Sequence, residues 1–289
     1  MTALISRWKY KYSEVRSIVN IRYPFSIKKR MKISLLQIDV AWRDAQENIR
    51  RAESLMASQL GADLYVLPEM WCTGFDVSPD EHTLEQSKMG YEWMLRKAEE
   101  LNASIAGSLA WQTEASLRSG RFVNTLFVMG PDGSVCHYAK RHLFGYGGED
   151  AHYLSGCQRV VMQVGDVRVL PQICYDLRFP VASRNTAENP YDLIIYVASW
   201  PVSRQSAWDV LLRARAIENQ CYVAGVNRFG DDLHCHYEGG TTLIDPYGNS
   251  LFSLRGSAAC ASAEIDLQKM RQFREKFPVL KDADVFYKG

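Results

Sequence analysis

The stretch Val169-Leu170-Pro171-Gln172-Ile173-Cys174-Tyr175-Asp176-Leu177-Arg178-Phe179-Pro180 is an apolar strand that ends on a thiol. A strand is predicted over 167–173, paired with 160–164 through a hairpin at Gly165-Asp166. It delivers Cys174 to a sheet edge, with Asp176 and Arg178 beside it and Pro180 where a helix can begin. Backbone N–H groups and a helix N-terminus at such a turn lower a thiol pKa and hold an oxyanion, so Cys174 is a candidate nucleophile. The competing reading, a buried core cysteine, suits Cys221 and Cys260 better, since both lie in apolar runs with no adjacent charge.

Two further strands end the same way. Leu64-Tyr65-Val66-Leu67-Pro68 delivers Glu69, and His137-Tyr138-Ala139 delivers Lys140. A carboxyl among apolar neighbours holds its proton to higher pH, which suits a general base near neutrality. A lysine at a sheet edge is placed to hold an oxyanion. Taken singly, each reads more readily as a surface charge at the start of a loop.

Strands are also predicted over 32–40, 105–111, 122–129, 193–198, 222–226 and 258–265. Helical spacing of apolar residues runs over 45–60, with Asp44 as its cap, and over 84–101 and 205–219. Interleaved strands and helices predict an α/β (α+β) layered domain spanning 31–289, with helices covering the sheet faces.

The 289 residues carry 34 Lys+Arg against 33 Asp+Glu, which gives no basic surplus of the kind a nucleic-acid binder shows. No apolar run approaches the ~20 residues that span a bilayer, so no membrane partner is expected. Seven widely spaced cysteines read as reduced thiols in the cytoplasm. G-x-S-x-G, Walker A, Rossmann and H-E-x-x-H patterns are absent. His234-Cys235-His236 lacks a second pair at ligand spacing and reads as a polar loop, not a metal site.

In combination the blocks are specific. Leu67-Pro68-Glu69-Met70, Lys140-Arg141-His142-Leu143-Phe144 and Cys174-Tyr175-Asp176-Leu177-Arg178-Phe179-Pro180 occur in order, followed by 213–220 and Asp245-Pro246-Tyr247-Gly248. Together they resemble the carbon–nitrogen hydrolase (nitrilase) superfamily over residues 32 to about 266. The segments 149–153, 183–185, 197–201, 235–237, 274–278 and 282–284 are most similar to the bacterial omega-amidase (2-oxoglutaramate amidase) branch. Gly145-Tyr146-Gly147-Gly148 departs from that branch's pattern.

The resemblance implies a four-layer α–β–β–α sandwich, commonly paired as a homodimer, with no metal or organic cofactor. It implies that Glu69 is the general base and Cys174 the nucleophile of a thioester mechanism. Lys140 and the backbone N–H of Tyr175 would hold the oxyanion, and Glu149 would orient substrate and lysine. The expected substrates are water and the terminal amide of a short 2-oxo dicarboxylate monoamide such as 2-oxoglutaramate. Other aliphatic amides and N-carbamoyl amino acids are the alternatives, and a silent scaffold is the non-enzymatic one. The far carboxylate of such a substrate wants a cation. Arg178 is the first candidate and Arg204 the second, although Asp176 is near enough to Arg178 in sequence to hold it instead. Phe144 and Trp200 are candidate pocket walls, and Arg215 is expected in a buried ion pair.

The charge is unevenly placed. Residues 1–30 hold eight Lys/Arg against the single acid Glu14, a charge of +7, and 31–289 carry −6. The motifs start the catalytic domain near Met31. The basic segment is therefore expected to be an added, poorly ordered piece: a start assigned too early, or a transit-like presequence.

Overall fold

The computed structural model describes Asn20–Ile21 and residues 30–283. The expectation of poor order in 1–30 falls outside the described residues, except for Arg30 and the two-residue strand β1 (Asn20–Ile21). In chain order, β2 (Arg30–Gln37), α1 (Ala45–Ala57), β3 (Leu64–Val66), α2 (Glu81–Leu101) and β4 (Ser104–Trp111) follow. After the short α3 (Glu114–Arg118), β5 (Val123–Met129) and β6 (Val135–Ala139) pair as an antiparallel hairpin. Next come α4 (Glu149–His152), β7 (Met162–Val164), β8 (Val167–Ile173), β9 (Leu193–Ala198) and α5 (Gln205–Asn219). The chain continues through β10 (Tyr222–Asn227), β11 (Phe229–Asp231), β12 (His236–Ile244), β13 (Ser250–Arg255), β14 (Ala259–Asp266) and α6 (Leu267–Lys276).

The predicted elements are present, with ends that shift by a few residues. Asp44 caps α1 by accepting the Glu47 N–H. β11 and α6 lie outside the predicted elements. Behind Pro180 there is a 3-10 turn, Pro180–Ser183, and not an α-helix. The loop Cys174–Arg178 is itself a 3-10 turn.

Two sheets form. One has the order β14-β2-β3-β4-β5-β6 and the other β1-β7-β8-β9-β10-β12-β11, with β13 on β12. The two-residue period of a strand sorts its side chains between layers. In β5, Leu126 and Val128 face the second sheet's Val169, Ile173 and Ile194. Phe127 and Met129 face the opposite way, toward Trp93, Met94 and Ala98 of α2 and Ala52 and Met56 of α1. On the far side, Trp208, Leu212 and Ala216 of α5 close the core of the second sheet. The result is the α–β–β–α order. It also explains the continuous apolar runs, because β3 and β9 are buried on both faces.

Topology then gathers the chemistry at one end. β2, β3 and β4 are mutually parallel, and so are β8, β9 and β10. Glu69, Cys174 and Ser199 therefore follow the carboxyl ends of parallel strands, the usual place for a site in such sheets. β5 is antiparallel to both β4 and β6, so its first residues reach the same end as the last residue of β6. There the Lys140 N–H donates to the Asn124 carbonyl (2.9 Å) and the Lys140 carbonyl accepts the Gly156 N–H (2.7 Å).

That second contact needs glycine. A Cβ at Gly156 would lie 2.3 Å from the Ala139 carbonyl oxygen, a backbone atom that cannot step aside. Gly156→Ala is expected to destabilise the fold by about 1–3 kcal/mol, the usual range for overpacking. Urea unfolding reads this as a lower midpoint, and an unchanged midpoint would refute the close approach.

Candidate active site

Cys174 and Met70 turn the chain sharply where their strands end, with φ of 45° and 43° in the left-handed region. Residues other than glycine adopt that region at a cost, and only where surrounding contacts enforce it. At Cys174 the enforcing group is Asp176, which is wholly buried. Its Oδ2 accepts the Ile173 N–H (2.9 Å) and the Tyr138 hydroxyl (2.9 Å). Its Oδ1 accepts the His142 backbone N–H (3.0 Å) and lies 2.8 Å from His142 Nδ1. One carboxylate thus ties the nucleophile turn to the strand and loop that carry Lys140. Asp176 does not hold Arg178, the partnership that sequence proximity suggested.

The centre is a buried ammonium between two carboxylates. Lys140 Nζ lies 2.9 Å from Glu69 Oε1, and 3.0 and 2.8 Å from the two oxygens of Glu149. All three side chains have zero exposure. Burial alone lowers a lysine pKa, but the charges of Glu149 and Glu69 outweigh it, and Lys140 is held above its ordinary value. Burial raises the pKa of Glu149, opposed by Lys140 and reinforced by Glu69. Glu149 is fixed through Oε2 by the Phe144 N–H (2.7 Å). The Gly145–Gly147 turn and Gly148 at φ 82° carry the chain from Phe144 back to it.

Glu69 is not in a purely apolar setting. Besides Lys140, its Oε1 accepts from Asn124 Nδ2 (2.8 Å), and its Oε2 accepts the Ser199 N–H (2.9 Å). Both partners escaped the sequence reading. Ser199 acts through its backbone, which no residue type reports, and Asn124 lies inside an ordinary apolar strand.

The thiol departs from expectation. The turn at Cys174 was expected to lower its pKa, but burial and then the charge and hydrogen bond of Glu69 push it well above the usual value. Lys140 and the Ser199 N–H pull the other way and do not prevail. The environment therefore favours the thiol form of Cys174, hydrogen-bonded to Glu69.

Above the thiol opens a cavity of about 430 Å³. Phe144, Tyr175, Arg178, Trp200 and Arg204, the expected wall and binding residues, all line it. The Arg178 guanidinium stacks 5.0 Å from the Trp200 ring and that of Arg204 lies 5.2 Å from the Phe144 ring. Trp42, Phe75 and the β11–β12 turn, with His234 and Cys235, complete the wall and were not foreseen there. Among the described residues no group of three or more His, Cys, Asp or Glu converges as a metal site. Arg215 is buried as expected, with Nη1 3.0 Å from Glu218 and Nη2 donating to the Leu177 carbonyl.

A thiol, a carboxylate and a lysine brought together by two facing sheets define a thiol hydrolase centre. The carbon–nitrogen hydrolase family profile matches residues 32–275, and the chain belongs to that family. It is 44% identical over 258 residues to the omega-amidase YafV of Escherichia coli, covering 89% of this chain and 98% of the relative. It is 34% identical over 254 residues to the 2-oxoglutaramate amidase of Bacillus subtilis, covering 86% and 96%. A CN-hydrolase superfamily protein from Xanthomonas campestris, with an arsenic adduct in its active site, superposes with a TM-score of 0.84 at 36% identity. It covers 90% of this chain and 99% of that one. The four-layer fold and amide hydrolysis expected from the sequence both stand.

Because Glu69 raises the thiol's pKa, removing its charge must lower it. In Glu69→Gln the pH profile of Cys174 alkylation by iodoacetamide is expected to move to lower pH, while amide hydrolysis falls by ~10³-fold or more. An alkylation profile that stayed in place or moved upward would contradict this electrostatic reading.

Proposed function

We propose that the enzyme is an omega-amidase that removes the terminal amide of a short 2-oxo dicarboxylate monoamide, such as 2-oxoglutaramate, as ammonia. The observation that carries the reading is the pair of guanidinia on the wall of the cavity that Cys174 also lines. Among the described residues neither Arg178 nor Arg204 has a carboxylate within ion-pair distance, and both line the cavity that opens on Cys174. A ligand with an amide at one end and a carboxylate at the other fits that separation of functions. The names of the Escherichia coli and Bacillus subtilis relatives support the same substrate class.

In this reading Glu69 takes the Cys174 proton as sulfur attacks the amide carbon. A raised thiol pKa makes such a base necessary, since little thiolate exists beforehand. The tetrahedral oxyanion is held by Lys140 and by the Tyr175 N–H, which as a first-turn group of the 3-10 segment has no intrahelical partner. Each donor of this kind contributes about 3 kcal/mol. Glu69 returns the proton to the leaving nitrogen and ammonia departs. It then takes a proton from water, which opens the thioester to the acid and the free thiol. Glu149 fixes the lysine.

Two wider proposals accompany this. The catalytic domain begins near Met31, with strand β2, and works in the cytoplasm, in keeping with the family match from residue 32 and with the free thiols. Two copies pair through an apolar face where Val210 and Ile217 of α5 stand 66% and 51% exposed. Tyr247 and Phe277 extend that face on either side of Phe273.

Ammonia release is expected to be faster with 2-oxoglutaramate than with glutamine, N-carbamoyl amino acids or nitriles. Arg178→Leu and Arg204→Leu should raise KM for it by roughly tenfold or more and spare neutral short amides. Equal rates across the panel would sink the substrate assignment. In light scattering, a chain lacking residues 1–30 is expected to remain dimeric with unchanged kcat/KM, and Ile217→Asp to give monomers. Loss of activity on truncation, or a dimer that survives Ile217→Asp, would overturn the domain start or the interface respectively.

A further inference from the structure

Lys140 reaches the site with its donors already committed. An ammonium carries three N–H groups, and Lys140 Nζ makes three contacts, one to Glu69 Oε1 and two to the oxygens of Glu149. To donate to an oxyanion it has to let go of a carboxylate oxygen. In a site sealed from water, a carboxylate oxygen stripped of its donor is costly.

Asn124, the second residue of β5, sits where that cost arises. Its Nδ2 lies 2.8 Å from Glu69 Oε1 and 3.3 Å from Glu149 Oε1, so its two hydrogens serve the two Oε1 atoms that Lys140 also holds. The remaining lysine contact, Glu149 Oε2, has its own second donor in the Phe144 N–H at 2.7 Å. Every carboxylate oxygen that Lys140 touches therefore keeps a donor when the lysine turns away.

The other end of the amide shows what the side chain is there for. Asn124 is fully buried, and its Oδ1 has no hydrogen-bond partner among the described residues. Its side-chain hydrogen bonds among the described residues are therefore made at the two carboxylates. The reverse orientation would set Oδ1 against two carboxylates, so the network fixes which way the amide faces. The amide is also neutral. It adds two donors without adding a second positive charge that would pair off the carboxylates.

We propose that Asn124 is a positioning residue that stands in for Lys140 on both carboxylates, freeing a lysine N–H for the oxyanion while Glu69 stays charged and in place. This rests on Lys140 acting as an oxyanion donor, as in the reaction proposed above.

The test compares the parent enzyme with Asn124→Leu, Asn124→Ser and Lys140→Met on 2-oxoglutaramate. Asn124→Leu is expected to lower kcat by about 10–100-fold, the loss of hydrogen bonds to charged groups, with KM within about threefold. Stripping a donor disfavours the charged form of a carboxylate, so the acid limb of kcat/KM should move to higher pH. A residue that merely supported the fold would lower the melting temperature and leave that limb alone. Asn124→Ser keeps one donor and is expected to lose less in the same direction, which keeps the test open if the leucine variant fails to fold. A folded variant with parental kcat and acid limb, or one altered only in KM, would overturn the proposal. Parental activity in Lys140→Met would instead overturn the lysine's role on which it rests.

Discussion

The structure turns on one unhydrated ammonium. Lys140 is fully buried, and a charge taken from water costs several kcal/mol unless opposite charges and hydrogen bonds replace the lost solvent. Here two carboxylates replace it, and both are as deeply buried as the lysine. Satisfying that ion fixes much else. β3 and β6 must lie in one sheet so that Glu69 and Lys140 meet, and the short helix α4 must fold back over Lys140 to bring Glu149. The second sheet must then pack face to face with the first to set Cys174 and the Ser199 N–H against Glu69. Removing either carboxylate would strip the buried ammonium of hydrogen-bond acceptors, so fold and site have little freedom to change separately.

The same arrangement decides how the thiol behaves. Burial, and then the charge and hydrogen bond of Glu69, hold the Cys174 thiol above its usual pKa. Reactive cysteines are often poised as thiolates by nearby cations. This one is poised as an acid–base pair with Glu69, and its proton is available to the leaving nitrogen in the proposed reaction. In that proposed reaction the aromatic cavity, with a guanidinium over each of two rings on its wall, orients the substrate.

Much of this was legible in the chain because buried parallel strands announce themselves as apolar runs, and a charge or thiol at the end of a run marks a sheet edge. That rule found Glu69, Lys140 and Cys174, and the hairpins and α5 followed from equally local signals. Glu149 had no such signal, since α4 is a four-residue helix without a period, and only the resemblance pointed to it. Asn124 and the Ser199 N–H were invisible because their roles arise from which sheet faces which. The direction of the Cys174 shift was misread for a related reason: the local turn suggested a lowering, whereas burial and Glu69, brought in from the other sheet, dominate. Asp176 likewise found its partners, Tyr138 and His142, far along the chain and not in neighbouring Arg178.

The central claim is that amide cleavage passes through sulfur of Cys174 with Glu69 moving its proton. Mass spectrometry of enzyme quenched during turnover of 2-oxoglutaramate tests it most directly. A peptide containing Cys174 is expected to carry the acyl group of the substrate less ammonia, as a hydroxylamine-sensitive thioester, and Cys174→Ala should show neither adduct nor ammonia. Ammonia released at the parental rate by Cys174→Ala, or an acyl group found on another residue, would contradict the mechanism.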